Sequence, residues 1–426
     1  MVLYVAHNDM RKEFPDFHER ITQTNHIFLM RKVALIVGLA AALGFNNAQA
    51  VDWNWKGDIR YRYQSDITAI PNITGEHSRD RHRARVRLGV YPWINEELSG
   101  GLQLSTAGSG LETTSRNETL DDQFLPDTVY MNEYFIDYHP MFLCGDVNII
   151  LGKRAVASTL IVQNDLVWDG DLTFEGATVQ YGKDANGKEK DGLSAVAGYY
   201  ILNENKSVTT KEQDAYLFAG QAAYKGEISD LSYQLGAGYY DYVNFDLKNT
   251  STVASQLTVA PFTYTPATTA KYSPEYNYTG KDFNIVEFYG SIGGKITETL
   301  PWQISGQYAF NTAKHADWVN IDNAKRDSYL AEIKIGDAKQ VGQWAVNADY
   351  VRIERDALTI LTDSDRNMGA ATNLKGFKIG GVYHLVQNMT LGLTYFNFKT
   401  IDDKTTLVDE SAPTRHIVMA DAVIKF

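Results

Sequence analysis

The chain has one cysteine in 426 residues, Cys144, so an internal disulfide framework and a cysteine-rich metal site are both excluded. It lacks the basic surplus of a nucleic-acid binder: 40 Lys and Arg stand against 52 Asp and Glu, a formal net charge of −12. Apolar runs of about 20 residues, which a helical membrane protein needs in number, are missing too. Proline is scarce at 10 residues, and mean hydropathy is only slightly polar at −0.30. With 44% hydrophobic residues the chain is too apolar for intrinsic disorder. Tyrosine and glycine are plentiful, 26 and 33 residues, and that lean is toward β-structure.

The longest apolar run, Val33 to Gly44, follows Arg31 and Lys32 and precedes Ala48-Gln49-Ala50. A short cationic region, a short apolar stretch and an A-x-A site make a secretory signal peptide, and the run is too short to span a bilayer. The expected organisation is therefore a non-native upstream extension over 1–29, with Met30 as the true start. A signal peptide over 30–50 follows, then an exported domain over 51–426.

Beyond residue 50 the dominant period is two. Arg83-Ala84-Arg85-Val86-Arg87-Leu88 separates an apolar face from an arginine face, as a strand does by sending alternate side chains to opposite sides. The alternation returns at Ile59–Tyr63, Trp302–Tyr308, Tyr329–Ile335 and Leu391–Tyr395, where Phe396 and Asn397 then blur it. Short turns near 92–97, 139–145, 183–192, 226–230, 297–301, 337–341 and 387–388 alternate with long polar stretches. The long ones cover 64–79, 108–127, 154–175, 204–212, 245–281, 314–325, 354–372 and 402–413. Transmembrane barrels have this rhythm of short periplasmic turns and long external loops. About sixteen strands of roughly 9–11 residues fit the length, with eighteen the other even count considered.

Aromatic residues should mark both membrane interfaces on the outward face. With the N-terminus in the periplasm, Trp55, Tyr91, Tyr181, Tyr224, Trp302 and Tyr383 fall at the lower rim. Tyr63, Tyr239, Phe310, Tyr329 and Tyr395 fall at the upper one. Tyr91 alone is out of step with its strand's apolar face. At the C-terminus, Val418, Ala420, Ala422, Ile424 and Phe426 alternate and end the chain on an aromatic, which resembles the outer-membrane signal read by the barrel-assembly machinery. The fold class expected is thus all-β: an antiparallel up-and-down transmembrane barrel in the outer membrane of a Gram-negative bacterium.

A barrel of 16–18 strands leaves an aqueous channel, whereas eight strands fill with side chains. The inward positions read as Arg, Gln, Asn, Thr, Ser, Glu and Lys, so a wet interior is expected. Residues 154–175 become the third external loop, the one that folds inward in trimeric porins. It carries Asp165, Asp169, Asp171 and Glu175, while the inward faces of the first two strands carry Arg60, Arg62, Arg83, Arg85 and Arg87. Arginines about 7 Å apart on one strand face repel and need water, counter-ions or carboxylates. Either the loop acids face them across a charged constriction, or the arginines pair with neighbouring wall acids in a structural ladder.

Several of these segments resemble the Gram-negative family described simply as putative porins. They are Gly57–Tyr63, Asp80–Gly89, Leu120-Asp121-Asp122-Gln123-Phe124 and Asn164–Leu172, followed by Glu175-Gly176. The resemblance covers about residues 55–185; Phe174 stands where family members often carry proline. It implies an outer-membrane channel and gives no solute. The expected function is a water-filled channel for passive diffusion of small hydrophilic solutes and ions. The alternatives are a substrate-specific channel and a non-conducting surface scaffold or adhesin using the 245–281 loop. Expected partners are outer-membrane lipid, lipopolysaccharide, the assembly machinery and two further copies in a homotrimer, with no nucleic acid. No metal or organic cofactor is implied. Nothing among the nine histidines and many serines signposts an enzyme: His82 and His384 read as rim or pore-lining, and Gly290–Lys295 lacks the phosphate-loop spacing.

Overall fold

Strands with one apolar face can hide their edges fully only by closing on themselves. The computed structural model describes residues 51–69, 77–107, 116–121, 126–204, 214–244, 283–313, 325–354, 356–359, 366, 372–401 and 414–426. The expected signal peptide and the stretch before it lie outside the described residues, as do Asp122 and the 245–281 loop.

The strands are β1 (Asp52–Ala69), β2 (His77–Asn95), β3 (Leu98–Thr106), β4 (Glu118–Thr119), β5 (Val129–Tyr138), β6 (Val147–Ala155), β7 (Thr173–Tyr181), β8 (Gly192–Asn203) and β9 (Ala215–Ile228). They continue as β10 (Leu231–Val243), β11 (Phe283–Thr297), β12 (Leu300–Asn311), β13 (Asp327–Gly336), β14 (Trp344–Ile353), β15 (Leu374–Val386), β16 (Met389–Thr400) and β17 (Thr414–Lys425). Each pairs antiparallel with its neighbour, and β17 returns to pair with β1 from Asp58↔Lys425 to Ala69↔Thr414. Sixteen strands make the ring. The two-residue β4 lies outside that count, on the β2 edge above the end of β3 at Arg83↔Thr119.

The seam is fastened at the chain end. Gly57 N donates to Phe426 O at 2.8 Å and Phe426 N donates to Gly57 O at 3.1 Å. The Phe426 ring lies against Gly57, where a Cβ would stand 2.7 Å from the ring and 2.6 Å from the Arg87 carbonyl oxygen; glycine is what leaves room for both.

Ile59, Tyr61, Val86, Leu88, Leu151, Val179, Leu235, Ile304, Leu393 and Ile424 are exposed on the outside, forming the apolar belt. The rim aromatics Trp55, Tyr181, Tyr224, Tyr239, Tyr329 and Tyr383 are exposed there as well. Tyr91 is not among them: it keeps the parity of Arg85 and Arg87 and turns into the lumen. Its hydroxyl donates to Glu133 at 3.0 Å and accepts from Gln103 at 2.9 Å. Two bulges near it, Trp93/Asn95 and Gln103/Leu104, adjust the registers on either side of β3.

The interior differs from the expected uniformly polar lining. Toward the long-loop end of β9–β17 the inward positions are Leu217, Tyr240, Tyr242, Phe283, Ile285, Leu330, Val351, Ile353, Phe396, Phe398, Ile417 and Met419, all buried. The connector between β6 and β7 folds onto them. It opens with the four-residue helix α1 (Val156–Thr159) and continues through Leu160, Leu166, Val167, Trp168 and Leu172, all buried in the same cluster. Trp168 packs edge-on to Phe174 and Tyr240 at 5.1 and 4.9 Å between centroids. Leu358, from the connector after β14, joins them. The polar face therefore survives mainly on β1–β3 and lower in the barrel.

Candidate functional site

Parity places Asp58, Arg60, Arg62, Gln64 and Asp66 on the inner face of β1, and Arg81, Arg83, Arg85 and Arg87 on the inner face of β2. The two rows are in register, with Arg60 opposite Arg85 and Arg62 opposite Arg83. Cations so placed repel unless acids stand between them.

The wall and the inward loop each supply one. Asp58 accepts from Arg85 Nε at 3.0 Å through one oxygen and from Arg87 Nε at 2.6 Å through the other. Asp171, at the loop's far end, accepts from Arg85 Nη1 at 2.9 Å and from Arg87 Nη1 at 3.1 Å. Two guanidiniums and two carboxylates thus form a closed quartet in which each carboxylate bridges both arginines, one oxygen to each, through charge-assisted hydrogen bonds. Asp171 keeps about a quarter of its side-chain exposure, whereas Asp58 keeps less than a tenth. Of the two acids, the loop acid is the one that faces solvent.

The other candidate residues are distributed more widely. Arg60 donates to Asn117 at 2.6 Å, Arg83 to Gln64 at 3.2 Å, and Arg62 holds Asp421 of β17 by two bonds of 2.7 and 2.8 Å. Asp169 accepts from the Asp171 backbone at 2.8 Å and so shapes the turn that presents Asp171. Asp165 is carried across the lumen to Lys378 on β15, 3.7 Å away, beside the buried Arg366–Asp349 pair at 3.0 Å. Glu175 is not brought to the arginines. It is the third residue of β7, its parity is that of Val179 and Tyr181, and it bonds Tyr134 and lies 3.8 Å from Lys153 on the outer face.

Residues not anticipated from the sequence include Asp58, Asp421, Arg116 and Asn117. Asp58 was readable, because it is two residues before Arg60 and shares its face. Asp421, distant by 359 positions, required the closing register. Arg116 sits in the connector before β4, where burial opposes its charge while Asp171 and Asp169 favour it.

The connector between β7 and β8 is a further surprise. Instead of a plain turn it is a hairpin carrying the bridge Lys183↔Glu189, and Lys183 is fully buried. Burial pushes the Lys183 ammonium below the usual lysine range, and Glu189 at 3.0 Å pulls it back.

A family model described as "Putative porin" matches residues 11–282 and 262–412, well beyond the 55–185 segment whose motifs carried the resemblance. Comparison with curated proteins finds no match. Among solved structures, the high-pH structure of Pseudomonas putida OprB superimposes with a TM-score of 0.53 at 9% identity, over 88% of this chain and 94% of that one. The outer membrane channel DcaP of Acinetobacter baumannii gives 0.47 at 12% identity, over 90% of this chain and 99% of that one. The anion-selective porin from Comamonas acidovorans gives 0.47 at 10% identity, over 88% and 100%. At these identities the likeness to OprB is one of fold.

Proposed function

Because the chain belongs to the putative porin family, we propose that it is an outer-membrane channel for passive diffusion of small hydrophilic solutes and ions. A ring of sixteen strands is wide enough for an aqueous lumen. The inward loop narrows that lumen, and solutes pass alongside the quartet, on the side where Asp171 stays open to water. Charged side chains ringing a narrow point select ions at close range, while charges beyond a Debye length are screened.

The observation that carries the reading is Asp171, an acid of the inward loop bonded to Arg85 and Arg87 and still open to water. Single-channel recording on Arg83/Arg85/Arg87→Ala tests it. The expected result is a changed conductance, with cation permeability raised several-fold relative to anion permeability. Unchanged conductance and ion preference would leave the arginines a structural ladder. Liposome swelling with a graded solute series separates general diffusion from a substrate-specific channel.

The same reading takes residues 30–50 as the signal peptide that exports the chain in a Gram-negative cell. The terminal pattern Val418 to Phe426 is the address read by the assembly machinery. Outer-membrane lipid and lipopolysaccharide surround the belt, and three copies form the working unit.

A further inference from the structure

We propose that the inner-mouth hairpin Gly182–Asp191 braces the inward loop from below, with Lys183 as the positioning residue that fixes where that loop stands in the lumen; this rests on the channel reading above. A four-residue helix such as α1 has too few internal bonds to stand alone, and its last carbonyls have no partner within the helix. Here those carbonyls are taken up from the β7–β8 side. Gln180 Nε2 donates to Ser158 O at 2.8 Å and to Thr159 O at 2.7 Å, and Lys183 Nζ donates to Leu160 O at 2.7 Å. A cation at a helix C-terminus also meets the negative end of the helix dipole.

The hairpin is itself shaped to reach this place. Asp184 Oδ1 accepts from the backbones of Asn186 and Lys188, each at 2.9 Å, and closes the tip. Gly187, at φ +83°, lies against α1 so closely that a Cβ would fall 2.2 Å from Ser158 O. From β6, Arg154 donates to Ala185 O at 2.8 Å while paired with the buried Asp137, also at 2.8 Å. Asn148 donates to the carbonyls of Lys183 and Asp184 at 3.3 and 3.2 Å. At the far side, Lys56 on the inner face of β1 donates to Asn186 at 3.3 Å. The hairpin therefore starts at β7, passes under α1 and ends against β1, flooring the sector whose wall carries the Arg85–Arg87 quartet. The loop is held at one end by Asp171 on the arginines and at the other by Lys183 under its helix.

The test compares wild type, Lys183→Met, Lys183→Arg and Glu189→Gln in the full-length protein, each first checked for heat-modifiable barrel mobility. Hydrogen exchange of the 156–162 amides is read alongside open-channel noise in planar bilayers. Lys183→Met is expected to speed exchange at 156–162 at least tenfold and to raise open-channel noise, with exchange in β11–β13 unchanged. Lys183→Arg is expected to behave as wild type. Equal exchange and noise in Lys183→Met and wild type would overturn the brace, as would an arginine variant no better than methionine. If Lys183→Met fails to assemble, Glu189→Gln decides: a several-fold rise in exchange at 156–162 is expected, and no rise overturns the proposal. A wild-type protein that does not conduct would count against the channel reading, while the exchange data still decide the brace.

Discussion

A single carboxylate does much to determine whether the arginine wall is tolerable. Asp58 touches both Arg85 and Arg87 and is nearly buried, so its loss leaves two guanidiniums sharing one loop acid. Breaking a buried pair by removing one partner costs about 3–5 kcal/mol, since the remaining charge is neither hydrated nor matched. Asp58→Ala is expected to destabilise the barrel by about 3 kcal/mol, read as a lower urea midpoint in detergent. Asp171→Ala, with a better hydrated carboxylate, should cost less than half as much. The residue scale also shows how far sequence alone reaches. The inward arginines follow directly from period two, and so does Asp58. Glu175 illustrates the limit: its side depends on where β7 begins, and a start at Thr173 turns it outward although it lies close to the loop acids in the chain. The out-of-step Tyr91 had the opposite outcome, its parity being the true guide and its aromatic character the misleading one.

Among the elements, the β6–β7 connector is the one whose shape was least legible. Its place in the order agrees with the connector count and its inward course with the likeness to trimeric porins, but neither indicates the surface it packs on. The signal was present in the sequence as a failure of alternation: Phe396 and Asn397 blur the pattern because Phe396 and Phe398 face inward toward the loop cluster. A strand covered on both faces loses its polar side, and periodicity cannot distinguish lipid on one side from a loop on the other. Trp168 anchors this contact, buried between Phe174, Tyr240 and Tyr242. Trp168→Ala is expected to cost about 3–5 kcal/mol of loop docking. Faster protease cleavage between 160 and 172, with the barrel core intact, would show it; cleavage at the wild-type rate would mean that the loop is held by its polar contacts alone.

For the whole molecule, sixteen strands, their alternating connectors and the apolar outer belt were all legible, because closure leaves a period-two chain with few alternatives. What the sequence could not convey is how the space inside is divided. An apolar mass fills the β9–β17 side toward the loops, and a hairpin packs beneath the inward loop, while the charged residues gather on the β1–β2 side. Both fillers depend on contacts between residues far apart in the chain, such as Gln221 with Ile161 and Lys183 with Leu160. Local pattern carries no information about such pairs. Planar-bilayer recording on the purified, heat-modifiable protein shows whether the barrel conducts. A water-filled channel gives discrete conductance steps that grow in proportion to salt concentration. A correctly assembled barrel that inserts but produces no steps at any salt concentration would contradict the channel reading.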